Sequence, residues 1–180
     1  MTRGHAVQQG SWGVGTSQDK GSVSLDAQLM LVMSHSVLPG AKIAVSSVLN
    51  RDVKQFGKQH LTDDDDETCW NSHQGTPQYI GARLSAPHRP RQLRLQFQGG
   101  FVGADCWLEA GPAPDQLHRL HAFYPDNINR LQTFDVDCPH PVTHVKVVFN
   151  GSTDFFGRVV VYRFDLLADA EDSVDGQPVG

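Results

Sequence analysis

An antiparallel β-sandwich is the fold class that the sequence predicts, on three observations. Short apolar or alternating runs recur between turn residues from Ala41 to Leu167. No stretch of about ten residues sustains a helical period. Leu93, Leu95 and Phe97 alternate with Arg94, Gln96 and Gln98, the pattern of a strand with one face in a core and one in water. About seven or eight such strands in a chain of 180 residues suit two packed sheets around a single core.

In order, residues 1–40 are rich in Gly, Ser, Gln and Thr and are expected to be a disordered extension, with a short apolar patch at Ala27 to Met33 able to form a helical turn. Pro39-Gly40 punctuates the change, and Ala41 to Leu49 reads as the first strand. Asn50 to Leu61 is a polar loop leading into five consecutive acids, Asp63 to Glu67, which run straight into Trp70. Like charges of that density must sit in water or on a cation, whereas the indole needs a packed interior, so an ordered loop entering a strand is expected, with Trp70 as aromatic anchor. Tyr79 to Leu84 is the next strand, ended by Pro87 and Pro90, and Leu93 to Phe97 follows. Gly99 to Gly103 reads as a glycine-rich loop and Pro112 to Pro114 as another connection. Leu117 to Phe123 and Leu131 to Val136 are expected to form a hairpin turning at Asp126-Asn127. Val145 to Phe149 and Val159 to Leu167 complete the sandwich, giving a domain over 41–168 and an acidic, disordered tail over 169–180.

Composition narrows the function. A net charge of −5, with no basic cluster larger than Arg89, Arg91 and Arg94, argues against direct nucleic-acid binding, which needs a basic face to neutralise phosphates. Cys69, Cys106 and Cys138 are odd in number and lack C-x-x-C pairing, which points to free thiols in a reducing compartment. The apolar run Leu29 to Met33 is too short for a membrane span, so an intracellular protein with no membrane partner is expected. There is no G-x-S-x-G elbow, P-loop or H-E-x-x-H, and no enzymatic activity is expected.

The run Asp63-x-Asp65-x-x-Thr68-x-Trp70, followed by Asn71-Ser72 and by Gln78-Tyr79-Ile80, resembles the signature of discoidin-type (coagulation factor C-type, galactose-binding-like) domains. It departs from that signature at Thr62 and Asp64, where an aliphatic residue and a glycine are usual. Five further runs resemble a narrower family, the nuclear-receptor-associated (testicular receptor four-associated) proteins. They are Ser46 to Arg51, Gln55 to Lys58, Glu67 to Ser72, Gln96 to Phe101 and Thr153 to Val160. The resemblance implies a jelly-roll sandwich without catalytic activity that binds an orphan nuclear receptor and represses receptor-driven transcription, in nucleus and cytoplasm. The chain has no L-x-x-L-L motif, so such a contact should use a folded surface.

Two candidate sites follow. The loops Asn50 to His60, Gln98 to Trp107 and Asn150 to Arg158 are expected at one end of the sandwich, presenting Phe56, Phe101, Phe155 and Phe156 beside Arg51, Gln98, Asp154 and Arg158. Aromatics with arginine are the usual composition of a protein-binding hot spot. The competing expectation is that Phe155 and Phe156 plug the core while Arg158 pairs with Asp154. The same loop end, with Phe101, Arg158 and Arg51, could alternatively serve a glycan. The acidic loop offers Asp63, Asp65 and Thr68 as oxygen ligands for a structural calcium, although it lacks the glycine and glutamate of an EF-hand; otherwise Asp63 and Asp65 bond backbone amides. No other cofactor is expected.

Overall fold

The computed structural model describes residues 34–170, and the expected extension and tail beyond them lie outside the described residues. Within that span the chain forms ten strands: β1 (Ser34–Ser36), β2 (Lys42–Val45), β3 (Trp70–Asn71), β4 (Gln78–His88), β5 (Pro90–Phe97), β6 (Gly103–Gly111), β7 (His118–Phe123), β8 (Leu131–Asp135), β9 (Val142–Ser152) and β10 (Val160–Asp169). They make two antiparallel sheets. One has the order β1-β10-β5-β8, with β3 also paired to β10; the other has the order β2-β4-β9-β6-β7.

Alternation builds the core. Leu93, Leu95 and Phe97 of β5 are fully buried, as are Val147 and Phe149 of β9 and Phe164 and Leu166 of β10, so each sheet contributes one apolar face. Trp70 has no exposed surface: its indole N–H donates 2.9 Å to the Ser47 carbonyl, and its ring lies 6.3 Å from that of Phe149. Phe149 in turn meets Phe97 edge-on at 5.8 Å, which joins the two sheets through aromatic contacts.

Several expectations need correction. The folded domain starts inside the stretch assigned to the extension: Ser34–Ser36 pairs with β10, and Val37 and Leu38 are buried. At the other end Asp169 closes β10, opposite Ser34 and 3.3 Å from Arg91, rather than opening the tail. The first strand stops at Val45: the Ser46 amide still donates to the Tyr79 carbonyl (3.0 Å), but the Tyr79 amide donates to the Ser46 hydroxyl (3.1 Å) in place of a backbone carbonyl, and Ser46 and Ser47 also bond the Gln78 side chain. Asn50 to Leu61 holds a helical turn, Val53–Phe56, capped by Asp52 accepting from the Gln55 amide, between two tighter turns. β4 runs through Pro87 to His88, with its ladder to β9 interrupted between Arg83 and His88.

Two errors concern topology. β7 and β8 are not a hairpin: β7 pairs with β6 in one sheet and β8 with β5 in the other, and Phe123 meets Phe134 across the sandwich at 4.7 Å. Gly103–Gly111, expected to be mostly loop, is a strand between β9 and β7. Its Gly, Ala and Asp residues have low strand propensity, and Asp105 takes a left-handed backbone (φ 48°), which shifts the inward parity from Gly103 to Cys106.

Candidate functional site

The site grows from the turn between β9 and β10. The Asp154 carboxylate accepts from the Phe156 amide (3.2 Å), the Arg158 amide (3.1 Å) and the Arg158 guanidinium through Nε (3.1 Å) and Nη2 (3.2 Å). This fork of charge-assisted bonds folds the chain back on itself within five residues. Gly157 completes the turn at φ 77°, backed so closely on Gly75 that a Cβ would lie 3.1 Å from that residue's backbone. The two side chains between are pushed outward. Phe155 is 94% exposed and Phe156 54%, their rings edge-on at 5.3 Å, so they do not plug the core; Arg158 does pair with Asp154, as the competing expectation held.

The Gln98–Val102 connection lies alongside. The Phe101 amide donates to the Gln98 carbonyl (3.0 Å), the Val160 amide to the Phe101 carbonyl (3.0 Å) and the Thr153 amide to the Val102 carbonyl (2.9 Å). The Arg158 guanidinium therefore sits 4.8 Å over the Phe101 ring and 5.9 Å from that of Phe156, a cation between two aromatic faces. Gln98 joins at the rim, its side-chain oxygen 3.5 Å from the Tyr162 hydroxyl.

On the other flank, residues with no obvious sequence signal set the geometry. Gln78 is 4% exposed, and its side-chain oxygen accepts from Ser46 and from Ser47 (2.7 Å) while its amide donates to the carbonyls of His73 (3.2 Å) and Gly75 (2.6 Å). Ser72, fully buried, accepts from the Val159 amide (2.9 Å) and donates to the His73 carbonyl (2.9 Å). These two side chains clamp the Ser46–Ser47 and His73–Gly75 segments to the aromatic turn, where the Gly75 amide donates to the Phe156 carbonyl (2.8 Å). Both residues lie within stretches quoted for the family resemblance, but only their burial shows what they do.

Arg51 lies beyond His73, in a cleft of about 480 Å³ lined also by Ser47, Val48 and Asn50. Asn50 and Arg51 both have left-handed backbones (φ 53° and 60°), a conformation that costs non-glycine residues roughly 1–2 kcal/mol each. Gln98, Phe101, Asp154, Phe155, Phe156 and Arg158 are thus brought together, with Arg51 across the His73–Gly75 turn. Phe56, half-buried in the one-turn helix, is outside this group.

In the acidic loop, Asp63 accepts from the His60 ring (2.9 Å), the Thr68 hydroxyl (2.7 Å) and the Asp65 amide (3.2 Å), and Asp65 accepts from the Glu67 amide (2.9 Å). Arg163 reaches Asp64 (3.6 Å) and Asp66 (3.4 Å). Burial by itself would raise the Asp63 pKa, but the bonds from Thr68 and His60 outweigh it and hold the carboxyl low; the bond to Asp63 in turn raises His60. A calcium on Asp63, Asp65 and Thr68 would have to replace these donors. Among the described residues, no three His, Cys, Asp or Glu side chains converge as a metal-binding group. Burial, with the Asp105 charge, pushes Cys106 up to about 12, which disfavours the thiolate that nucleophilic chemistry needs. No helix among the described residues is long and apolar enough to cross a membrane.

No family model matches the chain. It is 46% identical to the human nuclear receptor 2C2-associated protein over 138 residues, 76% of this chain and 99% of that protein. The Danio rerio protein of the same name is 46% identical over 127 residues, 71% of this chain and 90% of its own length. Among solved structures, an F5/8 type C domain from Bacteroides fragilis matches with a TM-score of 0.65 at 12% identity, over 76% of this chain and 97% of that domain. The family 32 CBM of a Clostridium perfringens protein, solved in complex with galactose, matches with a TM-score of 0.62 at 12% identity, over 74% and 98% of the two chains. At such identities these structures establish the fold, a discoidin-like, galactose-binding-like sandwich.

Proposed function

The chain belongs to the nuclear receptor 2C2-associated protein family, and from that premise we propose that it is a non-catalytic protein-binding module whose loop end contacts a nuclear receptor. The observation that carries the reading is Phe155, 94% exposed on a turn that Asp154 and Arg158 hold rigid. An aromatic displayed on a pre-organised turn loses little entropy on binding, and Phe156, Phe101 and Arg158 surround it with the composition of a hot spot. The names of the relatives supply the partner class, the nuclear receptor 2C2. Repression of receptor-driven transcription, with residence in nucleus and cytoplasm, completes the proposal. Calorimetry of the full chain with purified receptor 2C2 tests it: binding should be weakened by Phe155→Ala, and an unchanged affinity would move the contact elsewhere on the molecule.

A second reading is favoured by the structural neighbours solved with sugars, in which the same fold binds galactose or GalNAc-β-1,3-galactose. Here Arg158 already spends two nitrogens on Asp154 and its face on Phe101, leaving fewer donors for hydroxyls. A glycan array with no signal above background would remove this reading.

A further inference from the structure

The sheet β2-β4-β9-β6-β7 turns one face to the core, and its other face is cationic although the chain carries a net charge of −5. Strand register sets this pattern. Lys42, Arg83 and His144 align across β2, β4 and β9. The next outward row is Ala44, Gly81, Lys146, Glu109 and Arg119, and the one after it holds Tyr79, Val148, Trp107 and Ala122. Four full positive charges, Lys42, Arg83, Arg119 and Lys146, therefore share these rows with one carboxylate.

The face is also ordered. Lys146 Nζ lies 4.8 Å from the Tyr79 ring and the Arg119 guanidinium 4.5 Å over Trp107, so two cations rest on aromatic platforms. Glu109 is engaged by the Trp107 indole N–H (2.8 Å) and by Lys146 (3.8 Å). Lys42 and Arg83 are exposed and have no acidic partner among the described residues. In the middle row, Ala44 and Gly81 make a floor with no side chain beyond Cβ, and Pro114 and Leu117 help wall a cleft of about 340 Å³.

We propose that this outer face, separate from the aromatic loop end, binds an acidic peptide segment of a partner protein, seating an aliphatic side chain over Ala44 and Gly81 between flanking carboxylates. Charge complementarity selects the acidic ligand. A peptide is favoured over a nucleic acid because Glu109 interrupts the cations and the net negative charge opposes a long polyanion.

Fluorescence anisotropy with the full chain and a fluorescein-labelled Asp-Glu-Asp-Leu-Glu-Asp-Glu peptide tests the assignment. Binding should appear at low salt, weaken as salt rises, and fall about tenfold in Lys42→Glu/Arg83→Glu, with the melting midpoint unchanged because both side chains are exposed. Phe155→Ala should bind the peptide as the parent does. The proposal is overturned by no binding at low salt, by equal affinity in the double variant, by loss in Phe155→Ala, or by tighter binding of a single-stranded RNA oligonucleotide at the same salt.

Discussion

Arg158 stacks 4.8 Å over Phe101 while two of its nitrogens bond the Asp154 carboxylate, so one side chain fixes both the shape of the β9–β10 turn and its packing on the neighbouring connection. The exposed pair Phe155 and Phe156 is presented by that lock.

Phe155→Ala should therefore leave stability within about 0.5 kcal/mol, since almost none of the ring is buried, yet cost receptor binding more than about 1 kcal/mol. Thermal melting beside calorimetry distinguishes the two effects. A destabilised Phe155→Ala would mean that the turn depends on the ring itself.

Trp70→Ala should do the opposite. Removing a fully buried indole from the Phe149–Phe97 contact leaves a cavity and costs about 3–5 kcal/mol, against a total stability of roughly 5–15 kcal/mol. Denaturant unfolding of purified protein, or loss of the soluble fraction, reads it out. Trp70→Phe keeps most of the packing but leaves the Ser47 carbonyl without its donor, for a loss of about 1–3 kcal/mol.

Two ion pairs give pH dependences of opposite sign. The guanidinium of Arg158 holds the Asp154 carboxyl below its ordinary value of 3.8, so the stability it contributes is present above that value and lost as pH falls through the folded-state pKa. His60, bonded to Asp63, is raised above 6.5; its contribution is complete below 6.5 and lost as pH rises through the folded-state value. Melting midpoints across pH should show Asp154→Asn converging on the parent in acid. His60→Gln should instead converge on it at alkaline pH.

For the acidic loop, the expected result is the same melting midpoint with calcium and with chelator, because the Asp63 carboxylate already accepts three donors and Arg163 serves Asp64 and Asp66. An ion bound at a hundredfold excess over its Kd would add about 2.7 kcal/mol. A shift of that size would instead establish calcium on Asp63, Asp65 and Thr68.

Arg51→Gly should raise stability by up to about 1 kcal/mol, by relieving a left-handed backbone at φ 60°. If the strained pair Asn50-Arg51 serves the binding end, the same variant should bind receptor more weakly, and an undiminished affinity would assign the strain to loop closure alone.

The sequence by itself determined the fold class, the aromatic anchor and, Phe56 apart, which residues gather at the loop end. Alternation in Leu93 to Phe97 and the acids running into Trp70 state which side chains must be dry, and burial is the dominant force that a strand pattern encodes. Phe-Phe-Gly flanked by Asp154 and Arg158 is likewise a local signal, since the bonds that fold that turn span five residues. Tertiary structure alone decided which strands are neighbours. Periodicity reports the face a residue takes on its own strand and nothing about the next strand, so the apparent hairpin of β7 and β8 was split between sheets and Gly103–Gly111, poor in β-formers, became interior. Gln78 is a clamp only because the distant Ser46 and Ser47 hydroxyls converge on it together with the nearby His73 and Gly75 carbonyls. The cationic face exists for the same reason: Lys42, Arg83, Lys146 and Arg119 are scattered along the chain, and register gathers them.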